Sequence, residues 1–270
     1  MKVSFAKDTT QSDNGTQPVE VVGGVPATLQ PVAPPAPAQI AFDDESAAGW
    51  DQIQIPGLFI TQKVGKLAEV HDPGDVIHKA GDLTLRLHRP DNEKKGVKGT
   101  PPLEIIVLGL PTNDSYSEKV EGGFGGRFFR SKEEVIAAGG VLDYATAKAT
   151  GKPQFESVAT ALVLVRKPDD VKDDSSFSEE IDGVKYALCL WRMKGGSYTS
   201  GAKPLRTAKT IGILKGKDKK WSDVKWSLTT TLKDYSTGNS AWVPVIKPNV
   251  ETSPTTREAA TALLAALSGK

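Results

Sequence analysis

The chain has 270 residues, 38% of them hydrophobic, with 26 glycines, 18 prolines, one cysteine and a formal net charge of +1. A single cysteine excludes an intramolecular disulfide and a multi-cysteine zinc site, and no apolar run of about 18 residues offers a membrane span. Abundant glycine and proline with modest hydrophobicity fit short strands joined by turns better than a helical bundle.

Residues 1–48 read as a disordered, proline-rich acidic arm: Pro34-Pro35-Ala36-Pro37 favours polyproline II, and large apolar groups are too few to offset the entropy of ordering. The first eight residues lack the apolar core of a signal peptide, so a cytoplasmic location is expected. Folded structure is expected from about residue 49 to 252 as a β-barrel. Ile53-Gln54-Ile55 and Leu58 to Gln62 alternate around Pro56-Gly57, and Leu83 to His88 alternates cleanly, which buries one face and wets the other. Leu103 to Leu110 and Val158 to Val165 are nearly continuous apolar runs, suited to strands covered on both faces. Val184 to Met193, Thr207 to Leu214, Val224 to Leu232 and Trp242 to Ile246 bring the expectation to about eight strands, mainly β, in a closed or partly open barrel. One short inserted helix is predicted after Ser131, where Ser131 and Glu134 have capping-box spacing and Gly139-Gly140 stops the helix. A second occupies 253–270, with Thr255 and Glu258 at the same spacing and a stripe of Leu263, Leu264 and Leu267 that docks on the barrel or joins another subunit.

Catalytic patterns are absent. His71, His78 and His88 lack tight metal-ligand spacing. Gly196 and Gly201 are followed by Ala202-Lys203-Pro204 in place of the Lys-Ser/Thr of a phosphate loop, and no G-x-S-x-G elbow occurs. Cys189 lies inside an apolar strand, where an inert thiol is expected. The sequence therefore points to a binding protein without cofactor or metal.

The charge is segregated along the chain. Residues 1–60 hold two lysines against seven acids, and 167–182 again two lysines against seven acids. Residues 183–233 hold twelve Lys/Arg against Asp218 and Asp223 alone. A block of this kind is either a solvated lysine-rich face or a polyanion site. The aromatics within it favour the latter, because a protein gripping single-stranded nucleic acid needs cations for phosphates and flat faces for bases. The candidate residues are Arg192, Lys194, Tyr198, Lys203, Arg206, Lys209, Lys225 and the expected basic hairpin Lys215, Lys217, Lys219, Lys220 with Trp221. Trp221 and Trp226, five apart, should face opposite sides of a strand, leaving Trp221 exposed for stacking, while Trp191 is as readily a core residue. A second surface is the glycine-rich run with Phe124, Arg127, Phe128 and Arg130.

Gly49-Trp50, Ile55 through Gln62, Pro73-Gly74-Asp75 and Gly81-Asp82 together resemble the opening of bacteriophage proteins, some of them OB-fold single-stranded-DNA-binding proteins. That resemblance implies coating of transient single strands in phage DNA replication or recombination, in the host cytoplasm and alongside replication proteins. Such proteins often end in an acidic tail, whereas this chain ends in the predicted helix and Lys270; its acidic N-terminal arm would then compete for the basic groove. The competing expectation is a phage structural or assembly protein, such as a virion decoration or tail component, with no nucleic-acid role.

Overall fold

Alternation along β7 (Phe155–Arg166) gives this strand two apolar faces. Ala159, Ala161, Val163 and Val165 enter one cluster, and Leu162 and Leu164 a second. The computed structural model describes residues 55–92, 96–120, 126–212, 214, 219–235 and 238–268. The expected arm over 1–48 and most of the Ile53–Ile55 strand lie outside them.

Among the described residues eleven strands, rather than about eight, form one curled half-barrel sheet: β1 (Gly57–Ile60), β2 (Val76–Ala80), β3 (Leu83–His88), β4 (Leu103–Gly109), β5 (Ser115–Glu118), β6 (Phe128–Phe129), β7, β8 (Glu179–Ile181), β9 (Val184–Lys194), β10 (Val224–Asp234) and β11 (Ser240–Glu251). The order is β11-β10-β4-β7-β9-β1-β2-β3, antiparallel except where β1 joins β9 in parallel. β5 lies along the first residues of β7 and carries β6; β8 lies along the start of β9.

The concave face holds Ile105, Val107, Cys189, Trp191, Met193, Trp226 and Leu228, and a helical segment packs into it. That segment is α3 (Gly195–Ser197), a π turn (Tyr198–Ala202) and α4 (Lys203–Thr210), running on with right-handed helical dihedrals at both junctions. Buried Ala202 and Leu205 and partly buried Ala208, three residues apart, point into the cluster. Part of this segment replaces the strand expected over 207–214. Its β-branched threonines suit a strand, yet Pro204 in the first turn and the three-residue apolar spacing suit the helix, and burial of the spaced face decides. Burying Leu205 fully stabilises the fold by about 2 kcal/mol.

The convex face is covered by α5 (Pro254–Ser268), whose Ala260, Leu263, Leu264 and Leu267 meet Ile106, Leu108, Leu162, Leu164 and Tyr186. The leucine stripe thus docks on the chain's own sheet. Ser253, not Thr255, caps this helix: its hydroxyl accepts from the Thr256 amide at 3.0 Å and donates to Asp182. Two short helices, not one, interrupt the strands after β6, α1 (Lys132–Ala137) and α2 (Tyr144–Thr150). Ser131 caps α1 as expected, accepting from the Glu134 amide, but Glu134 reaches back to the amide of Arg130 rather than of Ser131.

One side chain takes a strand's place where the sheet curls round. The Gln62 carboxamide donates to the Trp242 carbonyl at 2.9 Å and accepts from the Trp242 amide at 3.0 Å. Beside it, the Thr230 hydroxyl donates to the Gly74 carbonyl at 2.6 Å. Gly74 has φ +96°, and a Cβ there would lie 2.6 Å from the Trp242 ring.

Candidate nucleic-acid interface

The sheet divides the residues singled out by sequence into three groups. In the first, β9 and β7 pair over their full overlap, with Arg192 opposite Thr160 and Lys194 opposite Val158. Ser117 sits opposite Glu156 on β7 and opposite Phe128 on β6, which places Phe128, Glu156, Arg192 and Lys194 on one outer face. Phe128 is 40% exposed, with the Arg192 guanidinium 5.7 Å from its ring centroid. Lys194 approaches Glu156 at 3.9 Å. Arg127 is held by Glu118 through 3.0 and 3.3 Å bonds and lies 5.4 Å from the Phe155 ring, and Phe129 tilts onto the same ring. Their attachment fixes the hairpin that presents Phe128 and the exposed Arg130. Phe124 lies outside the described residues.

The second group is turned inward. Arg206 donates to Asp114 at 2.7 Å, to the Tyr198 hydroxyl at 3.1 Å and to the Pro111 carbonyl at 2.9 Å, and Tyr198 donates to Asp114 at 2.6 Å. This network ties the helical segment to the β4–β5 connection. Burial and the adjacent Asp114 carboxylate push the Tyr198 phenol above its usual range. The polar ends of Tyr198 and Arg206 are therefore occupied within the fold, and Lys203 lies 5.9 Å from the Tyr198 ring.

The third group surrounds the α4–β10 connection. Lys209 donates to the Lys219 carbonyl, Lys219 pairs with Glu251 at 3.5 Å, Lys220 reaches Thr261 and Lys225 pairs with Glu104 at 3.0 Å. Lys215 and Lys217 lie outside the described residues, and what was expected as a hairpin between two strands leaves α4 and enters a 3-10 turn (Trp221–Asp223). Trp221 is only 8% exposed and packs in the concave core with Trp226, so it is not a stacking platform. The strand alternation used to separate the two tryptophans does not apply, because Trp221 precedes the strand. Trp191 is likewise core.

The basic block is thus matched in space by acids from distant strands: Glu104 on β4, Asp114 after it, Glu156 on β7 and Glu251 on β11. Asp174 serves Lys185 as well as Lys167, and their hydrogen bonds lower its carboxyl to about 2. Sequence reasoning also missed a candidate. Tyr235, at the β10–β11 turn, reaches helix α3: a Cβ on Gly196 would lie 2.4 Å from its hydroxyl, two residues past Lys194, and Lys233 lies 5.6 Å from its ring. A tyrosine two residues after Lys233, where the strand pattern ends, was the available signal.

Buried ionisable groups sit apart from this face. Burial lowers His78 and His88 and raises Asp75, the last against the pull of Arg86 and Arg89. Among the described residues no three His, Cys, Asp or Glu side chains gather as a metal site, and no helix is long and apolar enough to cross a membrane. Cys189 is buried and its thiol is pushed up to about 12. Comparison with protein-family models, curated proteins and solved structures finds no match.

Proposed function

We propose that the chain binds single-stranded DNA across the part of the outer face of β7 and β9 that lies beyond α5, around Thr160, Arg192 and Lys194, protecting transient single strands in phage DNA replication or recombination. The observation that carries this reading is the exposed Phe128 ring with the Arg192 guanidinium beside it, continued by Lys194 toward Tyr235 and Lys233. An aromatic face with guanidinium and ammonium groups offers stacking to bases and charge to phosphates.

Topology supports the same placement. Strands β4, β7, β9, β10 and β11, with α3–α4 between the third and fourth, pair first to second, second to third, first to fourth and fourth to fifth. We read this as an OB-like barrel in which β1 is wedged beside the third strand. In such barrels the face of strands two and three, flanked by the first–second and fourth–fifth loops, takes oligonucleotides. Here those loops carry Phe128 and Tyr235 respectively.

The test is fluorescence anisotropy of a labelled oligothymidine, at low and moderate salt, with wild type, Phe128→Ala and Arg192→Glu. Loss of one stacked base weakens binding by about 1–3 kcal/mol, and wild-type affinity should fall steeply with salt. Failure of the wild type to bind at low salt, or unchanged affinity in both variants, would overturn the proposal.

A further inference from the structure

A cleft of about 710 Å³ opens on the opposite edge of β10, between Thr229–Leu232 and the Pro90–Asn92 and Thr100–Pro102 segments, with Trp242 and Pro73 in its walls. What β10 presents there follows from its register. Tyr235 donates to the Asn239 carbonyl, which makes them a hydrogen-bonded pair. Along an antiparallel ladder such pairs alternate, so Lys233 with Ala241, Thr231 with Val243 and Thr229 with Val245 bond across β10–β11. The intervening Leu232–Trp242 and Thr230–Pro244 pairs then turn their main-chain groups outward. Two facts agree: Pro244 has no N–H to donate, and Trp242 spends its outward amide and carbonyl on Gln62.

On β10 the outward groups of Trp226 and Leu228 face β4, opposite Ile105 and Leu103. The next such position on β10 is Thr230, and the chain before Leu103 is Pro101-Pro102. Pro101 cannot donate, and its carbonyl is engaged by His88 Nδ1 at 3.0 Å. The β4–β10 ladder ends there, while β10 continues to Asp234. Thr230 and Leu232 therefore present amides and carbonyls at strand spacing into a walled cleft. Trp242 and Pro90 both press on Gly74 to make one of its walls.

We propose that this cleft receives an extended peptide segment of a partner protein, which adds a strand to the edge of β10 that, among the described residues, no strand pairs beyond Leu228. The donor–acceptor pattern selects the occupant: an extended polypeptide supplies both N–H and C=O at that spacing, whereas a phosphodiester backbone supplies no donors for the two carbonyls. The prolines and Trp242 favour an aliphatic side chain on the residue that enters deepest.

The probe is a set of acetylated, amidated hexapeptides in which valine alternates with threonine or lysine, titrated into the full chain and followed by amide NMR. Saturating shifts centred on Thr230 and Leu232 are expected. Leu232→Pro deletes one cleft-facing donor without touching the β10–β11 bonds and should weaken binding about tenfold, the worth of one hydrogen bond. Peptides N-methylated at alternate amides should lose binding in one of the two registers. Absence of saturation at millimolar peptide, equal binding to Leu232→Pro, or displacement of the peptide by oligothymidine would overturn strand addition.

Discussion

Asp114→Ala tests whether Tyr198 and Arg206 hold the fold or serve the ligand. The substitution removes a 2.7 Å bond from Arg206 and a 2.6 Å bond from Tyr198. Arg206 keeps the Pro111 carbonyl and the Tyr198 hydroxyl, so its charge loses its counterion but not every acceptor. Removing one partner of a buried ion pair costs about 3–5 kcal/mol. The Arg206 side chain is 25% exposed, so water recovers part of this and the expected loss is about 2–3 kcal/mol. Arg206→Met in the Asp114→Ala background deletes the stranded charge, and the pair should couple by about 1–2 kcal/mol. Urea unfolding followed by circular dichroism reads both numbers from midpoint shifts at constant slope. A loss below about 0.5 kcal/mol for Asp114→Ala, or additive single variants, would refute the structural role. So would an Arg206→Met protein of native stability that has lost oligothymidine affinity.

Gln62→Leu leaves the Trp242 amide and carbonyl without their partner and should cost about 2 kcal/mol in the same urea assay; a neutral result would show that the sheet curls without this clasp. His78 is fully buried, neither ring nitrogen has a hydrogen-bond partner among the described residues, and burial lowers its pKa. The folded state keeps it neutral while the unfolded chain takes a proton below about 6.5, so stability falls as pH drops from there toward the depressed folded value. His78→Leu should stabilise by about 1–2 kcal/mol at neutral pH and shrink the loss between pH 7 and 5.5, leaving the smaller slope due to His88; an unchanged acid slope would contradict this. Asp75, raised by burial, works in the opposite sense, because the folded state binds its proton above 3.8. Cys189, buried and raised to about 12, should resist iodoacetamide in the native protein and react after unfolding in urea, as mass spectrometry would read.

Local pattern carried much of the fold. Leu83 to His88 is β3, but burial does not follow the expected alternation: Leu83 is exposed, and the adjacent Leu87 and His88 are both buried. The apolar runs around Leu103 and Val158 are β4 and β7, buried on both faces, and Ser131 caps α1. What was illegible depends on partners far along the chain. A window over 183–233 registers twelve cations, but Glu104, Asp114, Glu156 and Glu251 come from outside it and reach those cations only once the sheet pairs. Trp221 beside a lysine run looks exposed until a 3-10 turn tucks it into the concave core. Of the candidate face, Phe128 and Arg192 were both named, yet only the β5–β6 hairpin laid along β7 makes them neighbours.

The pairing of β4 with β10 has a consequence for the order in which the protein can be made. About 115 residues separate Gly109 from Val224, so at roughly 5–20 residues per second a ribosome needs on the order of 6–23 s to deliver the second strand after the first. Throughout that interval β4, with Ile105, Ile106, Val107 and Leu108, has one edge without its mate. The nascent chain must keep that edge from pairing with a stranger, and contacts this distant in sequence also make refolding slow.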